Sequence, residues 1–427
     1  MIAEVVGGVF PLLCAWKDFG MPRAVPVSIA VVANAPAPYR VHVHERIAEE
    51  IPSVRLTSIF LADGNIQDWS FGDLSHIGAV SVGPGEALGQ RRGVVHSLRK
   101  AWRTVRELRR CGARAVVVGG YSHIEGLAAM AWAKAHGVRV LLAADSNWAG
   151  DTASGPKRWL KTALVRGVVR VCDALLPCGV LGRRYYASYG ADEARMFDMP
   201  YEADVRPIRE MSAQRVAEVR AKHGLDVDRR RIVCSGRHVH IKGWDVAIEA
   251  FNAIAGDRPE WDLVLAGDGE LRRKLESKVA PHLRDRVVWL GFLEDQEELM
   301  ALYRCSDILL HPARREPWGV VIQEAVAAGM AVVASDVTGA AADLVEHGVN
   351  GFVVAVDDVP GTTVALGEAT HPDRIAELKV GSAEVYERWA SRCDPVAGLM
   401  RALHAVGVLG TSGEDEVQGL VLRPAAA

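Results

Sequence analysis

The residues with the clearest chemical spacing in this sequence are two carboxylates, Glu316 and Glu324, within the run RREPWGVVIQEAVAAG. Proline suits the first helical position, so Pro317 predicts a helix that opens directly after Glu316. Gly329 is typical of a helix stop. This helix would place Glu316 at its mouth and Glu324 about two turns inside, roughly 12 Å along the axis. The two carboxylates would then flank an N-terminus suited to a phosphate.

Carboxylates that accept hydrogen bonds on both sides of a phosphate site would suit a sugar on one side and a ribose on the other. For an isolated pair, an amphipathic helix with two water-facing glutamates is the more frequent explanation. The neighbouring runs favour binding, because they add short apolar strands and tight turns in a fixed order. In chain order they are SGR at 235–237 with KG at 242–243, AGDGE at 266–270, LGF at 290–292, SDILLHP at 306–312, MAVVAS at 330–335 and GVNGFVV at 348–354.

This ordered set resembles the second domain of the family-4 retaining glycosyltransferases, most densely over residues 231–354. The resemblance implies a GT-B fold, in which two Rossmann-like doubly wound domains face a central cleft and a C-terminal helix crosses back to the first domain. It also implies transfer of a sugar, with retention of configuration, from a nucleoside-diphosphate sugar to an acceptor hydroxyl. That sugar nucleotide is a co-substrate, and no cofactor is expected. Family members of this type need no catalytic metal, so no metal ligand is assigned.

The resemblance places the donor site in the second domain. Arg237 and Lys242, next to the strand-end Gly236, would hold the diphosphate, and both are expected to be catalytic. Glu316 would accept a hydrogen bond from the transferred sugar and act in catalysis, whereas Glu324 would accept from the ribose. Two interpretations of the indole at position 318 stay open, namely contact with the sugar or a plain wall of the cleft. The other expected donor contacts are Pro317, Trp318, Gly319, Val320 and Phe292.

The first half of the chain carries fewer motifs. After the first strand the family often has a glycine-rich loop, whereas this chain has NAPAPYR, so Tyr39 and Arg40 are assigned to the acceptor side. Asp145 and Ser146 follow a later predicted strand, at the edge where open α/β sheets bind ligands, and are also assigned to the acceptor. His123 follows GGYS and is a candidate catalytic group, although a lone histidine at a helix start is more often structural.

Apolar strand patterns alternate with helical ones along both halves, which favours parallel sheets covered on both faces. Residues 200–211 have prolines, charges and no periodicity, and are the predicted hinge. The expected division is an N-terminal extension (1–22), an acceptor-binding domain (23–205), a donor-binding domain (206–392), a crossover helix (393–410) and a flexible tail (411–427).

The composition sets outer bounds on the function. The 427 residues carry a net charge of −3, and 49% of them are hydrophobic, so the chain can bury large cores but offers no global attraction for nucleic acid. Seven cysteines without a C-x-x-C pair indicate reduced thiols. The N-terminal run is a poor signal peptide, and no apolar run reaches the length of a membrane span. We therefore expect a cytoplasmic protein.

A predicted helix at 91–114 carries nine arginines and lysines and a single acid, Glu107. Its apolar residues recur at helical period on one face, which predicts an amphipathic helix; they are Val94, Leu98, Ala101, Trp102, Val105 and Leu108. Its basic surface is either an ordinary solvated face or a contact with anionic lipid or an anionic lipid-linked acceptor. The second interpretation would make the protein peripheral at the inner face of the membrane.

Two rival functions stay open beside glycosyl transfer in polysaccharide or cell-envelope glycan biosynthesis, with a glycan or lipid-linked acceptor. A nucleotide-sugar epimerase of the same fold would require extra acid/base carboxylates deep in the cleft. An inactive donor-binding subunit would not need the intact set of Arg237, Lys242, Glu316 and Glu324 that this chain retains.

Overall fold

The computed structural model describes residues 25–64, 71–86, 93–148, 151 and 153–410. The predicted extension at 1–22, the tail at 411–427, and Arg91 and Arg92 at the start of the basic helix lie outside these residues. The predicted domain boundaries themselves stay predictions.

The first domain alternates strands with helices, because short Val-, Ile- and Ala-rich runs such as VSIAVVA are buried on both faces of a parallel sheet. Its strands are β1 (Val27–Ala33), β2 (Val54–Phe60), β3 (Val80–Ser81), β4 (Ala115–Val118), β5 (Arg139–Ala144) and β6 (Ala174–Pro177). Its helices are α1 (Pro38–Glu50), α2 (Val94–Cys111), α3 (Ile124–Ala135), α4 (Pro156–Val171) and α5 (Gly179–Ser188). The strands pair in the order β3-β2-β1-β4-β5-β6, and every pairing is parallel.

The second domain repeats this plan. Its strands are β7 (Arg230–Ser235), β8 (Trp261–Ala266), β9 (Val287–Gly291), β10 (Ile308–His311), β11 (Ala331–Ser335) and β12 (Gly351–Val354). The helices from the hinge onward are α6 (Arg206–Glu210), α7 (Ala213–Lys222), α8 (Trp244–Ile254), α9 (Arg272–Glu276), α10 (Gln296–Arg304), α11 (Val320–Ala327), α12 (Ala341–Leu344), α13 (Val359–Ala369), α14 (Pro372–Ala390) and α15 (Pro395–Ala405). The parallel order β12-β11-β10-β7-β8-β9 is the first sheet's order applied to the second set of strands. The prediction of two doubly wound domains is confirmed.

The last helix crosses back to the first domain, as expected. Val396, Leu399 and Leu403 of α15 are fully buried in the same apolar cluster as Ile29 of β1 and Leu176 of β6. Burying three such side chains stabilises the docking by several kcal/mol, at about 1.5–3 kcal/mol for each.

The predicted hinge at 200–211 is not wholly irregular, because it contains the five-residue helix α6. One arginine links the hinge to α1 and to the segment before α15. Arg46 of α1 donates to Glu50 at 2.7 Å, to Glu202 of the hinge at 2.5 Å and to Asp394 before α15 at 2.6 Å. The hinge and the crossover therefore meet at one partly buried ionic cluster.

The apolar period of α2 marks its buried face only in part. Val94, Leu98 and Trp102 are 67%, 55% and 62% exposed, whereas Ala101 and Leu108 are buried. The exposed residues lie on the i, i+4, i+8 line beside the face that packs on the sheet. Among the described residues, no helix is both long enough and apolar enough to span a bilayer.

Candidate functional site

A cavity of about 660 Å³ opens between the carboxyl edges of the two sheets, where ligands bind in doubly wound folds. Both domains line it. From the first domain come the 34–42 loop and helix start, Glu45, Phe71, Gly119, Asp145, Tyr201, Ala203 and Asp204. From the second come Ser235, Gly236, Arg237, Lys242, Gln296, Leu299, Met300, Tyr303, Glu316, Trp318, Gly319, Val320, Val321 and Glu324.

The predicted diphosphate pair, Arg237 and Lys242, lies where β7 ends. Gly236 has a φ of 136°, a conformation that favours glycine and lets the chain turn out of the sheet. The indole nitrogen of Trp244 donates to the Arg237 carbonyl at 2.8 Å, which fixes the backbone that carries the guanidinium. The two cationic side chains therefore reach the same cavity from one short loop.

Glu316 lies in contact with a cation. Its Oε2 accepts from Nζ of Lys242, and Nε2 of the fully buried His311 is 3.4 Å from the same oxygen. Burial alone would raise the pKa of Glu316, but Lys242 and His311 outweigh that effect and lower the pKa to about 2. Glu316 is consequently a carboxylate over the physiological pH range and a strong hydrogen-bond acceptor.

The helix behind Glu316 starts later than the sequence predicts. The segment 316–318 is a loop, and a later loop holds it in place, because Gly339 N donates to Glu316 O at 3.1 Å. α11 then begins at Val320, after Gly319 at a φ of 88°. Pro317 therefore does not open the helix, and Glu324 is its fifth residue, about one turn inside instead of two. Gly319, Val320 and Val321, at the start of the helix, all line the cavity.

Glu324 occupies a less polar part of the same wall. Burial raises its pKa to about 7, against the opposing effect of a hydrogen bond with Tyr303. The Tyr303 hydroxyl donates to Ser235 Oγ at 2.8 Å, which links α10 to the end of β7. The two glutamates thus differ in charge state, since one is held ionised by a cation while the other titrates near neutrality.

Trp318 joins the two domains. Only 2% of it is exposed, its Nε1 donates to Tyr201 O at 3.1 Å, and its ring packs against Trp389. A Cβ added to Gly179 would lie 2.5 Å from the indole, so the start of α5 in the first domain packs directly against Trp318. This packing corresponds to the wall interpretation and not to stacking on a sugar.

Pro317 also contacts the first domain instead of the cavity. Its carbonyl accepts from Asn147 Nδ2 at 2.7 Å. Nearby, Asp343 of α12 accepts from Val180 N at 3.0 Å, at the start of α5. These contacts link the two domains at the base of the cleft; Pro317 does not line the cavity, and its donor role stays a prediction.

On the first-domain side, a cation lies beside two aromatic rings. The Arg40 guanidinium lies 5.2 Å from the ring centroid of Tyr39 and 5.8 Å from that of Tyr201, and it donates to Ala35 O. Burial raises the pKa of the neighbouring Asp145, and Arg40 partly offsets the rise. Tyr39, Arg40 and Asp145, all assigned to the acceptor side, do line the cavity.

Besides Pro317, three expected site residues do not line this cavity. His123 is the exposed N-cap residue of α3, Phe292 is 43% exposed after β9, and Ser146 lies against Tyr186 of α5. The catalytic role of His123 stays a prediction. Its side chain makes no cap hydrogen bond and is turned to solvent.

Sequence reasoning missed three residues that complete the site: His311, Tyr303 and Tyr201. His311 is the last residue of β10, and a polar residue at the carboxyl end of an apolar strand is a usable indication of a ligand edge. Tyr303 and Tyr201 do not end an apolar strand, so the sequence gives no comparable indication for them. No group of three or more His, Cys, Asp or Glu side chains able to hold a metal was found in the described part of the chain.

Residues 216–361 match the family described as "Glycosyl transferases group 1". The match lies within the second domain, where it spans β7 to β12 and includes Arg237, Lys242, Glu316 and Glu324.

Curated relatives are similar over parts of their length. The chain is 32% identical over 194 residues to the alpha-D-kanosaminyltransferase of Streptomyces kanamyceticus, covering 45% of this chain and 47% of the relative. It is 33% identical over 150 residues to the lipopolysaccharide core biosynthesis mannosyltransferase LpsB of Rhizobium meliloti, covering 33% of this chain and 42% of the relative. The chain therefore spans less than half the length of either relative.

The fold extends the similarity beyond residues 216–361. Anabaena HepE, crystallised in complex with UDP and glucose, superposes with a TM-score of 0.66 at 16% identity, over 90% of this chain and 100% of that one. At this identity the likeness is one of fold. Both domains and their order correspond, and the fold is GT-B, as the resemblance implied.

Proposed function

We propose that this chain is a glycosyltransferase that moves a sugar from a nucleoside-diphosphate sugar to an acceptor hydroxyl with retention of configuration and without a catalytic metal. One observation carries the proposal. A fixed cluster of Lys242, Glu316 and His311 lies beside Arg237 and the start of α11, on one wall of a cavity of about 660 Å³ between two domains.

The cations account for departure of the leaving group. Breaking the bond between sugar and phosphate builds negative charge on the diphosphate, and fixed charges aimed at that position lower the barrier. Arg237 offers a planar fork, Lys242 a compact charge, and α11 the free N–H groups of its first turn. These groups supply the charge stabilisation for which other enzymes use a divalent cation.

Lys242 has two roles under this proposal. Before the donor binds, its charge is held by Glu316. Once a diphosphate arrives, the ammonium is shared between the phosphate and Glu316, which then accepts from a hydroxyl of the transferred sugar. Glu324 accepts from the ribose. The acceptor hydroxyl attacks from the face that the phosphate leaves, and the leaving phosphate takes its proton, as the family resemblance implies.

The acceptor is assigned to the first domain, at Tyr39, Arg40 and Asp145. HepE was crystallised with UDP and glucose, and LpsB is named for lipopolysaccharide core biosynthesis; both are compatible with polysaccharide or cell-envelope glycan assembly as the setting here. We place the reaction in the cytoplasm, where nucleotide sugars are made.

The epimerase alternative gains one specific observation. Asp145 brings a third carboxylate into the cavity, with a pKa raised by burial and by the charge of Glu316, and a group of that kind could exchange protons with a sugar carbon. An epimerase would need no acceptor and would incorporate solvent deuterium into the sugar. Glycosyl transfer needs an acceptor and incorporates no solvent deuterium into the sugar.

The experiment begins with a thermal-shift screen of nucleotide sugars, because a ligand that binds only the folded state raises its apparent stability. The donor found is then incubated with the protein in D₂O, with and without glycan and lipid-linked acceptors, and followed by NMR. We expect acceptor-dependent release of nucleoside diphosphate, a product with the donor's anomeric configuration, and rates unchanged by EDTA. Deuterium incorporation without an acceptor would replace transfer by epimerisation, and binding without turnover would leave a donor-binding subunit.

A further inference from the structure

A second, smaller cavity lies in the first domain, behind the acceptor side of the cleft. Its volume is about 50 Å³, and it is enclosed between the start of α1 and the carboxyl ends of β1, β4 and β5. Five residues line both this cavity and the cleft, namely Asn34, Tyr39, Arg40, Gly119 and Tyr201. The small cavity is therefore adjacent to the cleft, and these residues form its mouth.

The small cavity exists because the sheet ends in small residues beneath α1. Along β1 and β5 alternate side chains point to the α1 face, and the last of them are Ala33 and Ala143. The layer below has the larger Val31 and Leu141. β4 lies between these two strands and is followed by Gly119. α1 covers this end of the sheet, and the space that larger side chains would fill stays open.

The walls behind the mouth are apolar and uncharged. They are formed mainly by Val31, Ala33, Val43, Val117, Ala143 and Met199. Two polar side chains among them are bonded within the protein, because His44 Nδ1 lies 2.8 Å from Ser58 Oγ and Cys178 Sγ accepts from Tyr201 N at 3.3 Å. Burial, aided by the charge of Arg40, lowers the pKa of His44 to about 3, so its imidazole is neutral at physiological pH. A charged group would lose its hydration there without a counter-charge, whereas an alkyl group would gain from leaving water.

The mouth of the small cavity is polar by contrast. Nη1 of Arg40 donates to Ala35 O and Nη2 donates to Tyr39 Oη at 3.3 Å, and the guanidinium also hydrogen-bonds Tyr201. A guanidinium has five N–H donors, which is more than these three bonds use. A ligand that fits would therefore pair a hydrogen-bond acceptor at the mouth with an alkyl part inside.

The volume limits the size of that alkyl part. One water needs about 10–15 Å³, so 50 Å³ admits a group of about three or four heavy atoms. A cavity that binds benzene has about 150 Å³, so an aromatic ring or a long acyl chain would not fit. Ala143 faces the covered side of an internal strand and is nevertheless only partly buried, which indicates that the small cavity is open to entry.

We propose that the small cavity receives the acyl part of an acceptor sugar that carries an acetamido group. The acetamido oxygen accepts from Arg40 at the mouth, and the methyl group enters the apolar space behind. A hydroxyl in the same position leaves the space unfilled, and a free amine is protonated and meets the Arg40 cation. The inference rests on the proposed function, because it names the substrate class of the acceptor side.

The first test measures binding and needs no turnover. Methyl glycosides of N-acetylglucosamine, N-acetylgalactosamine and N-acetylmannosamine are compared with those of glucose, galactose and mannose by saturation-transfer NMR on the full chain. We expect the acetamido sugar of at least one pair to bind about tenfold more tightly, since it adds a buried methyl group and a hydrogen bond. Its methyl protons should receive the strongest saturation. Equal affinities within all three pairs would overturn the proposal.

Two substitutions change the size of the small cavity in opposite directions. Ala143→Leu adds three carbon atoms, enough to fill it, and should remove the preference for the acetamido sugar. Val43→Ala enlarges it and should shift the preference toward propanamido sugars, by about fourfold for the added methylene group. A purely structural role of these residues would not move the preferred acyl length.

Matched controls lie on α1. Ala48 is partly buried against the same apolar cluster as Ala143 but lines neither cavity, and Val41 is 6% exposed, as is Val43, but lines only the cleft. Ala48→Leu and Val41→Ala should keep the acetamido preference of the parent. Thermal unfolding and nucleoside diphosphate affinity verify that each variant is folded. If the controls lose the preference as the cavity variants do, the small cavity is not its cause.

A transfer assay on the same sugar pairs separates this inference from the proposed function. Tighter binding of acetamido sugars without transfer would support the cavity assignment and contradict the transfer reaction. Transfer to acetamido and hydroxyl sugars with equal kcat/KM, unchanged in Ala143→Leu, would support the reaction and overturn the cavity assignment.

Discussion

The two domains have the same strand order and present the same edge to one cavity, yet they hold polar side chains there in different ways. In the second domain, Lys242 and His311 fix Glu316, and Tyr303 binds Ser235. In the first domain, the Arg40 guanidinium lies beside the rings of Tyr39 and Tyr201.

This difference follows from what each side would recognise. Every nucleoside-diphosphate sugar brings a pentose and two phosphates, so a donor wall can use the same charged contacts in many proteins. Acceptors share only a hydroxyl. The proposed donor wall of this chain is accordingly readable from motifs, whereas the proposed acceptor wall is built from residues with no family spacing. If the two walls have these separate roles, substitutions on each wall should change different kinetic constants.

The largest effect is expected from Lys242→Ala. Removing one preorganised charge from the position of the leaving group should lower kcat/KM about 100- to 1,000-fold. Affinity for the bare nucleoside diphosphate should fall less, because the parent must first part Lys242 from Glu316. Steady-state kinetics and calorimetric titration give the two numbers. Lys274→Ala, an exposed lysine of the same domain, is the matched control. Unchanged diphosphate affinity and turnover would remove Lys242 from the donor wall.

A smaller effect, with a sharper pattern, is expected from the two glutamates. Glu316→Gln should lower turnover about 10- to 100-fold, because a carboxylate beside a developing cation acts mainly in the transition state. It should keep or tighten diphosphate affinity, since Lys242 is then released to the phosphate. Glu324→Gln should weaken nucleotide binding and raise KM, with a smaller change in turnover. The same pattern in both variants would contradict the separate roles.

The sequence motifs identified the two glutamates, but they did not show the local backbone structure around Glu316. Proline at N1 is a sound rule, yet here Gly319, at its positive φ, lets the chain leave the loop at Trp318 and begin the helix later. A sequence window cannot show that 316–318 is held by Gly339. Similarly, Trp318 and Pro317 follow Glu316 in the chain but face the other domain, which only the packed interface reveals.

The fold itself was readable because buried parallel strands are short, apolar and evenly spaced, as in β4 and β10. The surface of α2 was not, since Trp102 and Leu98 satisfy the helical period although they face solvent. Periodicity shows that a helix has two faces, but it does not show which side the sheet covers.

Glu324 also predicts a dependence of stability on pH. Its pKa is raised from 4.5 to about 7 in the folded chain, so the folded state binds a proton more tightly than the unfolded one. The resulting stability is present below pH 4.5 and is lost as pH rises through 7. Relative to the parent, Glu324→Gln should gain roughly 2–3 kcal/mol between pH 5 and pH 8. Denaturant unfolding at both pH values measures it, and a pH-independent difference would refute the titration.

The smallest effect is expected from the first-domain wall, at Asp145→Asn. This change keeps the shape of the side chain and removes its charge, so nucleotide affinity should stay within about twofold. Only the KM for the acceptor should rise, about three- to tenfold, since one hydrogen bond contributes about 1 kcal/mol. Two outcomes would break the division between the walls. A loss of nucleotide affinity would mean that Asp145 belongs to the donor site, and abolished solvent exchange into the donor sugar would make it the acid/base group of an epimerase.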